Sequence, residues 1–177
     1  LVGAELTLTA LEANIGSFAR MVVAISIFFL SIMLPGLFLN RLIGIMRGFT
    51  NIIALALLAI GLFVIAWSHD APLSILGAAL AGLGYGVMQP IIYDKAAIIA
   101  PPRLATKALA IVMSANYLAI ILCPFIVDAA RYLLHDQSKT FPFMFNGIVA
   151  VATLIIALLW RNNFVLGLDN SYYTERK

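Results

Sequence analysis

The sequence predicts an all-α bundle of membrane-spanning helices. Of its 177 residues, 63% are hydrophobic and 11% charged, the mean hydropathy is +1.05, and the apolar residues gather into runs long enough to cross a bilayer, which takes about 20 residues each. Soluble domains carry roughly a quarter charged residues, so water is not this chain's main solvent. The eleven Lys and Arg, which give a net charge of +3, are scattered between the apolar runs and form no basic stripe, so no nucleic-acid partner is expected. The single cysteine, Cys123, sits in an apolar stretch, which leaves no internal disulfide and no cysteine-rich metal site. It reads as a small packing residue. His69 and His135 stand alone in turns, without partners at metal-ligand spacing. No Ser, Cys or His occurs with the partners that nucleophilic catalysis needs, and no acid pair lies within a span, so neither an enzyme nor a cofactor is expected.

Five spans follow in order, at about 10–39, 49–67, 73–99, 104–127 and 141–160. Thr9-Ala10-Leu11-Glu12 has the form of a capping box, which starts the first helix. At 1.5 Å per residue that helix is on the order of 45 Å long, so its first turns stand outside a hydrocarbon core of about 30 Å. Asn40 to Gly48 reads as a short basic connection, and Ser68 to Pro72 as the next turn. Pro101-Pro102-Arg103 ends the third span, since proline cannot continue the hydrogen-bond ladder. Asp128 to Thr140 is the longest polar connection. Residues 1–161 thus form one membrane domain, and residues 162–177 a polar tail. The chain opens Leu1-Val2-Gly3 with no initiator Met and no signal peptide, and reads as a piece of something longer.

Within the third span, Ala78, Gly82 and Gly86 recur every fourth residue and give a small-residue stripe that a neighbouring helix can approach closely. The glycine series is no phosphate loop, because no strand precedes it and no Gly-Lys-Ser/Thr follows. Tyr85, Gln89 and Tyr93 are also four apart and therefore stacked. A Gln amide facing lipid costs a few kcal/mol, so Gln89 points into the bundle. Either it bonds a neighbouring helix or it joins the tyrosines in a cavity wall that orients a solute. Pro90 frees a carbonyl one turn back. On the fourth span Met113, Asn116, Tyr117 and Ile120 share a face. Tyr85 and Asn116, each near mid-span, are expected at similar depth. Packing and a binding site are both open readings of Asn116, and Pro124 should bend the outer end of that helix. Arg20 faces either the bundle and its cavity or, by snorkelling, the outer head groups.

Gly36-Leu37-Phe38-Leu39-Asn40-Arg41, followed by Gly44 and Arg47, resembles the G-x-x-x-D-R-x-G-R loop of the major facilitator superfamily in its second-half copy. Asn40 replaces the acid, and one extra residue precedes Gly44. Gly82-Leu83-Gly84-Tyr85-Gly86-Val87-Met88-Gln89-Pro90 is similar to the tenth helix of that superfamily. The resemblance implies the eighth to twelfth helices of a twelve-helix transporter, closest in layout to bacterial drug and small-molecule exporters. The implied partners are the missing N-terminal half, a small-molecule substrate, H⁺ and lipid, and the implied location is the bacterial inner membrane. Such a protein moves its solute by alternating access, here as proton-coupled efflux. The acids near the membrane, Asp94 and Asp128, lie at span ends, so a coupling carboxylate is expected in the missing half. The resemblance also implies gating by the basic loop: Arg41 and Arg47 at its level, Asp94 as the acid that Arg41 holds, and Lys95 and Arg103 as competing partners. A solvated surface pair worth at most about 1 kcal/mol is the other reading. The rival function is a non-transporting helical membrane protein, such as a receptor or scaffold half.

Orientation follows from the distribution of cations, which are in excess on the cytoplasmic side. Arg41, Arg47, Lys95, Arg103, Lys107, Arg161, Arg176 and Lys177 fall on one side, and Arg20, Arg131 and Lys139 on the other. The C-terminus is therefore expected in the cytoplasm. In the full-length protein a cysteine at Ser138 should react with an impermeant maleimide from outside the cell. Reaction only from the cytoplasmic side would overturn this topology.

Overall fold

The computed structural model describes residues 15–46, 49–68, 70–135 and 138–160. These form five α-helices: α1 (Ile15–Met46), α2 (Thr50–Trp67), α3 (Ala71–Ile99), α4 (Ala105–Leu134) and α5 (Phe141–Leu159). All five are long and apolar enough to cross a membrane. Large apolar side chains such as Leu37, Phe38, Ile111, Phe125 and Leu133 are exposed on the outside of the bundle. In lipid that surface needs no cover, because chain and solvent are equally apolar.

Several boundaries differ from those read in the sequence. The capping box at Thr9 lies outside the described residues. Helix α1 does not end at Leu39 but runs on to Met46, through most of the expected basic connection. That segment contains no proline, and Ile43 is buried with Ala54, Val87 and Ile91, with Leu39 and Leu42 packed beside them. Unwinding it would strip those contacts. Helix α4 likewise passes Val127 and continues to Leu134, because Ala129-Ala130-Arg131-Tyr132-Leu133-Leu134 is made largely of good helix formers. It stops where His135 takes the left-handed conformation, with φ 54°. Arg131 then crosses the shortened connection, donating from Nη2 to the Ser138 carbonyl at 2.7 Å. Helix α3 starts slightly early, at Ala71, with Pro72 in its first turn, where a missing N–H costs nothing. The α2–α3 turn is tied by side chains: the Ser68 hydroxyl donates to the Ile65 carbonyl at 2.9 Å and lies 2.6 Å from the Ser74 hydroxyl. Pro101 and Pro102 follow α3, and the turn closes with the Leu104 amide on the Pro101 carbonyl at 2.7 Å.

Helix α3 is the axis of the bundle, and glycine is what lets its neighbours reach it. A Cβ added at Gly82 would come within 2.5 Å of the Phe28 carbonyl oxygen on α1, and one at Gly86 would run into the Ile32 carbonyl. Toward α2, a Cβ at Gly84 would strike the Ala54 carbonyl, and one at Gly77 would lie 2.8 Å from the Gly61 carbonyl. Ala78, fully buried, shares a core cluster with Ala24, Phe28, Ala59 and Leu62. Gly82 over Phe28 and Gly86 over Ile32 keep one register, so α1 and α3 run parallel at matched depth. Helix α5 packs on α2, where Gly147 seats the Phe63 ring 3.2 Å from an added Cβ. Helix α4 packs mainly on α3 and meets α5 through Cys123, whose Sγ donates to Asn146 Oδ1 at 3.8 Å, and Val127 is its one buried residue.

Overpacking a tight contact costs roughly 1–3 kcal/mol, more where backbone rather than side chain must move. Gly86→Leu should therefore lower the thermal unfolding midpoint of the full-length protein in detergent by several degrees. Gly36→Leu should leave it unchanged, since nothing lies within 4 Å of a Cβ there. Equal midpoints for the two variants would contradict this packing.

Candidate functional site

A polar cluster joins α3 to α4. Tyr93 is its centre. Its hydroxyl oxygen accepts a hydrogen bond from Gln89 Nε2 at 3.1 Å, one turn back on the same helix, and another from Asn116 Nδ2 of α4 at 3.2 Å. All three residues are half-buried. With both lone pairs engaged, the Tyr93 O–H still has its proton to donate, and each amide keeps a carbonyl oxygen able to accept. The group can thus offer one donor and two acceptors to a solute, against apolar surroundings. Gln89 and Asn116 were each open to a packing or a binding reading, and the bonds to Tyr93 accommodate both.

The depth relation differs from the one expected. Asn116 is level with Tyr93, and carrying that antiparallel register on by eight residues sets Tyr85 opposite Pro124, about two turns from Asn116. The cause is the length of α4: running to Leu134, it places its midpoint beyond Asn116. Tyr85 and Met113 are half-buried, while Tyr117 is 59% exposed on the side of α4 next to Asn116. Pro90, one residue past Gln89, leaves the Gly86 carbonyl without its intrahelical donor.

Among the charged residues, Arg41 is exposed, Asp94 half-buried, and Arg103 exposed in the turn after α3. The α1–α3 register puts Arg41 at the depth of Asp94 and Lys95. At about 100° per residue, however, Arg41 projects away from the Phe28–Ile32–Leu39 seam that meets α3. The two residues share a level but not a face. The side chain of Arg20 and the whole of Arg47 lie outside the described residues, as does His69.

A second feature escaped the sequence reading. Near the same end of the bundle, α2, α3, α4 and α5 enclose a cleft of about 630 Å³. Its walls are apolar apart from Asn51, Lys95 and Thr153, and Lys95 is only 6% exposed. The signal was present in Ile91, Lys95 and Ile99, an apolar stripe interrupted by one cation at helical spacing.

Compared with known families, residues 2–171 match the sequence model of the Major Facilitator Superfamily. No curated protein and no solved structure matches the chain.

Proposed function

The chain belongs to the Major Facilitator Superfamily, a family of transporters, and on that premise we propose that it is the C-terminal half of a secondary transporter that exports a small organic solute by alternating access. The solute path runs along the α3–α4 side that carries Tyr85, Gln89, Tyr93, Met113, Asn116 and Tyr117, facing an N-terminal half of the same protein. What carries the reading is the Tyr93 cluster. Three polar side chains held together within membrane-length helices, with one O–H and two amide oxygens to spare, suit a neutral or weakly polar solute with both donor and acceptor groups. The half-exposed Tyr117 adds an aromatic wall beside them. Arg41, Arg103 and Asp94, gathered toward one end, bias the equilibrium between access states without contacting solute. Export is driven by the proton gradient through a carboxylate in the other half, and the protein sits in the bacterial inner membrane.

Transport by the full-length protein in inverted vesicles tests this. Tyr93→Phe removes the acceptor of both amide bonds and the free donor, so relative rates across a panel of solutes should change by about fivefold, the equivalent of one hydrogen bond of about 1 kcal/mol. Tyr117→Ala should shift preference away from aromatic solutes, and a protonophore should abolish accumulation. If both variants lower only protein abundance and leave relative rates intact, the cluster is packing. Accumulation that survives the protonophore would rule out proton coupling.

A further inference from the structure

The cleft around Lys95 is a different site from the Tyr93 cluster. Lys95 and Tyr93 are two positions apart on α3, so their side chains leave the helix roughly 200° apart. On α4, Ala108, Ile111 and Val112 line the cleft, and Asn116, one turn beyond Val112 on the same stripe, bonds Tyr93, so the cleft and the cluster adjoin along this helix. The cleft lies where α2 begins and α3 ends, the end at which cations are in excess. It exists because α4 leans on α3 and barely touches α5, which leaves a gap between them on the outside of the bundle.

The walls define the occupant. Most lining residues are aliphatic, so the body of the ligand is apolar, and about 630 Å³ is within the range of sites that bury a whole small molecule or a length of acyl chain. Its head faces cations. Lys95 stands inside the cleft, buried to 6% exposure, four residues from the end of α3 and so near head-group depth. Lys107 is exposed one turn from Ile111 on the same side of α4, and Arg103 is exposed in the connecting turn. Asp94, the nearest acid in sequence, projects about 100° further round α3. A buried ammonium that shares a mostly aliphatic cleft with Asn51 and Thr153, with two more cations at the rim, complements a ligand with one apolar chain and one anionic group.

We infer that this cleft binds an anionic phospholipid from the adjoining leaflet, one acyl chain lying between α4 and α5 and the phosphate drawn to Lys95, Lys107 and Arg103. Exchange of that lipid is tied to the position of α4, the least firmly packed helix, which also carries Asn116. Anionic lipid should therefore tune movement along the α3–α4 seam.

Native mass spectrometry of the detergent-purified full-length protein, titrated with phosphatidylglycerol or phosphatidylcholine of identical chains, provides the test. One tightly bound phosphatidylglycerol is expected, preferred about fivefold or more, as one basic side chain near the head group supplies. Lys95→Gln should erase most of that preference and Lys95→Arg should keep it. Ala108→Phe, which fills the cleft, should remove the bound lipid whatever its head group, while Lys139→Gln, at the opposite end of the bundle, should leave lipid binding unchanged. An undiminished preference in Lys95→Gln, or full binding in Ala108→Phe, would overturn the assignment. So would displacement of the lipid by glycerol phosphate alone, which would show a soluble-anion site.

Discussion

Everything in this bundle depends on the approach of three backbones along α3. Inside a membrane no gain comes from hiding apolar surface, so helices associate only where they touch over a large area or share a polar bond. The chain meets that demand with glycine. Gly82 and Gly86 admit the α1 backbone, and Gly77 and Gly84 admit that of α2. Dispersion falls steeply with distance, so these seams hold α1, α2 and α3 together far more firmly than large interlocking side chains on loosely spaced helices would.

That concentration of tight packing leaves the other end of α3 free for chemistry. Past Gly86 the helix carries Gln89, Tyr93, Asp94 and Lys95, and no glycine follows. Polar groups therefore begin where the tight seam stops. Helix α4 is tied to α3 by the Asn116–Tyr93 hydrogen bond and to α5 by that of Cys123 with Asn146, with apolar contact around them. A hydrogen bond between membrane helices contributes on the order of 0.6 kcal/mol. The fold is closely packed where small residues meet and more loosely joined where polar ones do.

How much of this was legible in the sequence varies from element to element. The apolar runs and the proline pair 101–102 located the helices well, because length and hydropathy are local properties. Helix ends were less so: Arg41 and Asn40 read as a loop by charge, yet Ile43 holds the segment helical through partners on α2 and α3 that no local pattern reveals. The four-residue spacing of Ala78, Gly82 and Gly86 pointed to a close helix contact, but not to α1 as the partner. Tyr93, Gln89 and Asn116 were each readable as inward polar groups. That Tyr93 rather than Tyr85 meets Asn116 required the true length of α4. The cleft at Lys95 belongs to four helices at once, so no local pattern in the sequence could reveal all of its walls.

The matched parallel register of α1 and α3 can be tested directly. Ala24 and Ala78 are both buried in one cluster and keep the same offset as Phe28 with Gly82, and replacing alanine by cysteine disturbs packing little. In the full-length protein with Cys123→Ser, the pair Ala24→Cys with Ala78→Cys should form an intramolecular disulfide rapidly under mild oxidation, since such a bond needs Cβ atoms about 4 Å apart. Leu30→Cys with Ala78→Cys, in which Leu30 faces outward, should not. Crosslinking of the second pair alone, or of neither, would contradict the glycine seam on which the rest of the structure is built.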